Sequence, residues 1–314
     1  VSPPEITPAL VASLSSRPGV LNMIVLDGVA RKPDGDAVLF DVVTADANEV
    51  LDEMRSLGVA RRGSIVIEEV TAELSDRAEE AEAAGALALR LAPVWEQAEA
   101  RIRAGGQYPV SWFALMTIAG LIASVGIFTN SQILVVGAMV VGPEYGAIIS
   151  VALGVNKSDR VRIRAGLVAL FIGFLVAIVV TFAFSLVVRA FGLEPELFRA
   201  GVRPVSNLIN TPDFFSIAVA TLAGIVGVVS LVEARAGALI GVFISVTTIP
   251  AAADIGVSSA FENWTEARGS LIQLLLNVAI LLGVGVVGLV AQRRLWARVR
   301  SRAKPAGSPP RPDV

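Results

Sequence analysis

The chain has no cysteine and no histidine among its 314 residues. It can therefore form no disulfide, offers no thiolate nucleophile or imidazole base, and lacks the usual protein ligands for zinc and haem. Most hydrolase and redox chemistry is excluded on this ground, and neither an enzyme activity nor a cofactor or metal is expected. Lysine is almost absent too, at three of the 26 basic residues, a bias in keeping with a GC-rich bacterial genome. Charged residues make up only 17%, whereas 54% are hydrophobic and the mean hydropathy is +0.69. The apolar residues gather into runs of about 20, the length that crosses a bilayer. A membrane protein is the expected class, with lipid rather than nucleic acid around it. Residues 1–19 carry Pro3, Pro4, Glu5 and Arg17 and no apolar core, so no cleavable secretory signal is expected there. The amino terminus is then expected in the cytoplasm, and the chain in a bacterial plasma membrane.

Composition changes near residue 105, before which 18 acidic residues stand against 10 basic ones. "VLNMIVLDG" (20–28) and "DAVLFDVVT" (36–44) read as strands joined through Lys32-Pro33-Asp34-Gly35, a turn sequence. A helix is expected over 7–16 and another over 46–58, where Val50, Leu51, Met54 and Leu57 share a face, and "GSIVIEEV" (63–70) reads as a third strand. The order suits a small cytoplasmic α+β domain of ferredoxin-like type over residues 1–72, followed by a helical linker over 73–108.

Six apolar runs follow, at about 110–128, 131–154, 166–190, 214–232, 236–255 and 270–291, making residues 109–292 a membrane all-α domain. A cytoplasmic amino terminus places eleven basic residues in inner segments, from Lys157 and Arg160 to Lys304 in the tail. It leaves four, Arg189, Arg199, Arg203 and Arg268, outside. The positive-inside rule thus supports six transmembrane helices with both termini cytoplasmic. The tail (293–314) is basic and then disordered, and Arg293, Arg294, Trp296 and Arg298 are its candidates for contact with anionic lipid.

"TIAGLI" (117–122) matches "TLAGIV" (221–226) without a gap, and the same offset of 104 residues carries "VVGAMV" (135–140) onto "LIGVFI" (239–244). Three spans repeating as three more enter the membrane in opposite directions, which predicts a 3+3 inverted repeat. Chance similarity among small apolar residues is the competing explanation. Pro143 and Pro250 then fall near mid-membrane on the second and fifth spans and predict broken helices there. Around the breaks stand Pro143, Glu144 and Tyr145 in one half and Thr247, Thr248, Pro250 and Asp254 in the other, with Asn277 and Gln273 within reach. Ser124, Asn130, Ser131 and Gln132 are candidates for an outer approach. A carboxylate in hydrocarbon usually marks a solute or ion pathway, but Glu144 could equally glue helices together, and Asp254 could be an ordinary helix-end carboxylate.

"NSQILVVGAMVVGPEYGAI" (130–148), preceded by "TIAGLIASVGIFT" and followed by "GALIGVFISVTTIPAAADIGV" (237–257), resembles the hydrophobic membrane proteins of domain of unknown function 389. Through "RPGVLNMIVLDG" and "RRGSIVIEEV" the resemblance extends over most of the amino-terminal domain. It implies a prokaryotic multi-pass membrane protein with a cytoplasmic domain and brings no activity with it. Many relatives have two prolines where "TTIPAAA" keeps only Pro250.

Two function classes follow from these features: a transporter or channel for a small solute or ion, sited between the repeat halves, and a membrane scaffold or sensor whose cytoplasmic domain binds a regulator or drives assembly. An intramembrane enzyme would need Glu144 and Asp254 as a dyad, and their different depths disfavour it. Small-residue rows and open strand edges also predict a homo-oligomer.

Overall fold

The computed structural model describes residues 1–68, 70, 75–84, 93–233, 241–242 and 247–303. The chain divides into two compact units, one of residues Val1–Gln97 with Arg293–Val314 and one of Ala98–Gln292.

In the first unit, helix α1 (Thr7–Ser15) precedes strands β1 (Val20–Arg31) and β2 (Asp34–Val42), then helices α2 (Thr44–Ser56), α3 (Val59–Arg62) and α4 (Asp76–Ala84). The strands form an antiparallel hairpin. Leu10, Leu14, Val50, Met54 and Val59 make the core, against which Met23, Val38, Phe40 and Val42 pack from one face of the hairpin. The opposite face leaves Ile24, Leu26 and Leu39 exposed. Arg17 joins α1 to α2 through Glu53, at 2.6 Å, and Glu49.

Among the described residues the expected third strand is not formed: the sheet has two strands, and residues 64–68 run without strand pairing. Ser2 bridges Asp36 at the start of β2, and Val1 accepts a hydrogen bond from the Ser64 N–H at 3.0 Å, so chain-end residues meet the groups a third strand would pair. Ile65 reaches the core, while Val66 and Ile67 stay exposed. A ferredoxin-like arrangement is absent among the described residues.

Asp36 yields a test of this unit. The Gly28 N–H donates to its Oδ1 at 2.8 Å, and with Thr7 it holds the carboxyl below the ordinary carboxylate range. A lowered folded-state pKa contributes stability above the unfolded value that is lost as pH falls through the folded one. Thermal unfolding of Asp36→Asn against wild type should show a deficit at pH 7 that shrinks as pH is lowered toward 3.

In the second unit, α5 (Trp95–Ala104) leads into α6 (Val110–Phe128), α7 (Gln132–Val141), α8 (Glu144–Lys157), α9 (Arg160–Ala190), the short α10 (Glu196–Arg199) and α11 (Pro204–Asn210), α12 (Phe214–Val232), α13 (Thr248–Ala260) and α14 (Trp264–Ala303). Helices α6, α9, α12 and α14 are long and apolar enough to cross a membrane, and α7 and α8 qualify together, bent by 46° at their break. Several long apolar helices thus mark a membrane-embedded chain. Residues 236–240 and 243–246 of the fifth apolar run (236–255), with most of its repeat segment "LIGVFI", lie outside the described residues, which resume in time for α13.

Helix boundaries recur at one spacing. α6 and α12 start and end 104 residues apart, and so do the starts of α8 and α13 and of α9 and α14. Local detail follows the same spacing. Ser158 and Glu262 are both left-handed, with φ of 55° and 60°. Asp159 N–H donates to Gly154 O, and Asn263 N–H to Ser258 O, each at 2.8 Å. Thr117 and Thr221 return their hydroxyls to Phe113 and Ile217. Between the sets the contacts are exchanged: Gly256 of α13 lies against Thr181 of α9, and Ala152 of α8 against Gly285 of α14.

Candidate functional site

Pro143 interrupts the second apolar run, as its missing N–H and fixed φ require. Gly142 ends α7 in extended conformation (ψ 128°), and α8 starts at Glu144. Pro250 lies within the first turn of α13, where its missing N–H would in any case have no helical partner. α13 starts at Thr248, two residues ahead of the proline, so Pro250 does not interrupt a helix among the described residues. The two helix starts touch: Thr248 donates its hydroxyl to Glu144 Oε1 at 2.6 Å, across a separation of 104 residues.

Neither helix has a side-chain cap at its N-terminus. Each such end carries roughly half a positive charge, so the two together offset about one carboxylate. This accounts for Glu144 being buried, at 6% exposure, with no Lys or Arg among the described residues bonded to it. The compensation is incomplete. Among the described residues, Glu144 Oε2 has no hydrogen-bond partner, and neither does the buried Gln273 Oε1. Buried acceptors without donors are costly and uncommon. On the other side of the α13 start, Asn277 and Gln273 of α14 donate to Thr247 Oγ1 at 2.8 and 3.4 Å, and Gln273 donates to Asn277. Tyr145 is buried beneath α12, its ring occupying the place a side chain at Gly227 would need.

Asp254 belongs to a separate cluster. It is wholly buried on α13 and accepts hydroxyls from Ser206 of α11 and Ser270 of α14, both at 2.6 Å. Glu266 joins through Ser206 and Ser258 at 3.4 Å and pairs with Arg203 at 3.3 Å. Arg203 stacks on Phe198, at 4.1 Å, within an aromatic group that includes Phe128 and Phe261. Of the sequence candidates, Glu144 and Thr248 are thus brought together, Thr247 and Asn277 adjoin them, and Asp254 is held elsewhere.

The proposed outer-approach residues have local duties. Ser124 returns its hydroxyl to Leu121 O, Ser131 caps α7, Asn130 bonds Val202 O, and Gln132 is exposed at the first turn of α7. Arg293, Arg294 and Arg298 are exposed on α14 with Trp296 half-buried, compatible with contact to a lipid surface. Ser206, Ser258, Ser270 and Glu266 were not anticipated. Glu266, Ser270, Gln273 and Asn277 nonetheless form a polar stripe at helical spacing, which was readable on an otherwise apolar helix.

Residues 139–282 match the model of the family described as domain of unknown function (DUF389), bearing out the resemblance in the sequence. The matched region holds Pro143, Glu144, Thr248, Asp254, Gln273 and Asn277. No curated protein and no solved structure matched.

Proposed function

We propose that this chain is a transporter or channel for a small solute or ion, built as six spans in a 3+3 inverted repeat with its site where α8 and α13 meet. The observation that carries this reading is the Glu144–Thr248 contact, in which two helices start inside an apolar domain, N-terminus to N-terminus, beside a carboxylate oxygen without a partner among the described residues. An anchor needs no such arrangement, and a buried intramembrane acid is functional by default. Contact between positions 104 apart, together with the exchanged α13–α9 and α8–α14 packing, is what a two-fold axis through that bond would produce. α7 and α8 together rise about 36 Å at 1.5 Å per residue, enough to cross. With both termini cytoplasmic, Lys157 lies at the inner end and the Asp254 cluster toward the outer one. The enclosed Glu144 then belongs to an occluded conformation.

The test is flux into liposomes containing the purified protein, screened over small cations, anions and neutral solutes. Wild type should move at least one of them faster than empty liposomes do. Protein-containing liposomes indistinguishable from empty ones across the screen would overturn the proposal.

A scaffold reading has one specific observation in its favour, the exposed apolar hairpin face of Ile24, Leu26 and Leu39. It expects self-association that Leu26→Lys disperses, read by mass measurement in nanodiscs. A monomer in both proteins would dispose of it.

A further inference from the structure

We infer that α5, with Gly105 and Gly106, is a latch on α8 held by the Glu99–Lys157 ion pair, and that its release opens the Glu144 site at the Lys157 end. The inference rests on the proposed pathway between α8 and α13, but its test does not need a transported solute.

α5 runs beside α8 in the opposite direction. Glu99 meets Lys157 at the far end of α8 at 2.7 Å, while Gly105 and Gly106 meet Gly146 and Ser150 near its start. Gly146 is two residues from Glu144, so the latch reaches the neighbourhood of the site. A Cβ on Gly146 would stand 3.0 Å from Gly105 O, and one on Gly106 would overlap the Ser150 hydroxyl, so the two segments approach closely there. Ala98 and Ile102 of α5 are buried, and Glu99, whose side chain is 11% exposed and which also pairs with Arg103 at 3.4 Å, supplies the ion pair to α8.

The other end is closed differently. α11 faces α13 as α5 faces α8, and Ser206, Asp254, Ser270, Glu266 and Arg203 tie it down through buried hydrogen bonds beneath the Phe128, Phe198 and Phe261 rings. Severing buried hydrogen bonds costs more than parting an ion pair whose lysine is 42% exposed. The glycine-lined end is therefore the one that yields first. The ion pair contributes to closure and its loss shifts the balance toward the open form without rebuilding either helix.

The natural absence of cysteine allows a direct measurement on the full chain. Ser150→Cys, at a buried position under Gly106, is reacted with a membrane-impermeant maleimide in sealed vesicles of each orientation. Adding Glu99→Gln or Lys157→Ala should raise its modification rate about fivefold from the Lys157 side only, the change expected for losing a partly exposed pair. Exchanging the charges, Glu99→Lys with Lys157→Glu, should restore the slow rate. Ser258→Cys, at the Asp254 end, should react as slowly in all these backgrounds. Lys157→Ala, at a half-exposed site, serves if Glu99→Gln fails to fold. An unchanged Ser150→Cys rate in the variants that fold, or an equal rise at Ser258→Cys, would overturn the latch. A raised rate in a protein that moves no solute would keep the latch and remove the pathway.

Discussion

Glu144→Gln should reduce solute flux in liposomes to the level of empty vesicles while the protein keeps its fold, because the amide can still accept from the Thr248 hydroxyl but no longer supplies the negative charge set against two helix ends. Glu144→Leu should also abolish flux, and it should in addition lower stability by about 2 to 3 kcal/mol, leaving the Thr248 hydroxyl without its acceptor and both helix ends without a counter-charge. Loss of a costly buried carboxylate works against that figure, so the size of the deficit reports how far the helix ends compensate the charge. Flux and thermal unfolding of both variants check this. Wild-type flux together with wild-type stability in Glu144→Leu would make the carboxylate incidental.

The second large effect concerns the exchanged helix crossings. A Cβ on Gly256 would stand 2.8 Å from both Ile178 O and Phe182 N, backbone atoms of α9 that cannot rotate aside. At the corresponding crossing, a Cβ on Gly285 would stand 3.1 Å from Ala152 Cβ and 3.2 Å from Ile149 Cδ1, which a small shift relieves. Gly256→Ala should therefore destabilise the protein by about 3 kcal/mol through overpacking. Gly285→Ala should stay within about 1 kcal/mol of wild type, since alanine's helix propensity offsets the tight contact. Thermal unfolding in detergent reads both, and equal effects would show that the two crossings are not distinguished by backbone proximity.

Much of the architecture was legible because bilayer length and apolar composition are written directly into the chain. The helices at 110–128 and 214–232 fall where the apolar runs do, and the Pro143 break follows from proline's own chemistry. Long-range pairing was less legible. Residues 63–70 hold the β-branched run Ile65-Val66-Ile67 expected of a strand, yet such a run does not say whether a neighbouring backbone is available to pair. α11 was not anticipated, because seven residues starting at Pro204 give too short a pattern to register. Asp254 was placed near the second break by sequence distance, whereas six residues along a helix carry it about 9 Å from Thr248 and into the company of Ser206 and Ser270. The proposed two-fold repeat would account for the Glu144–Thr248 contact, since a position near such an axis meets its own counterpart.

That last geometry bears on ancestry. In a dimer of two identical half-length chains, a residue beside the dyad faces its own copy, so an acid there confronts an acid and a threonine a threonine. A single gene carrying both halves is released from that identity. Here it sets a carboxylate against a hydroxyl, and it keeps an asparagine at position 277 where the other half has Gly173. On the proposed inverted repeat, duplication and fusion would thus do more than join two halves: they would allow one site with two unlike walls, which no pair of separate, interchangeable subunits can encode.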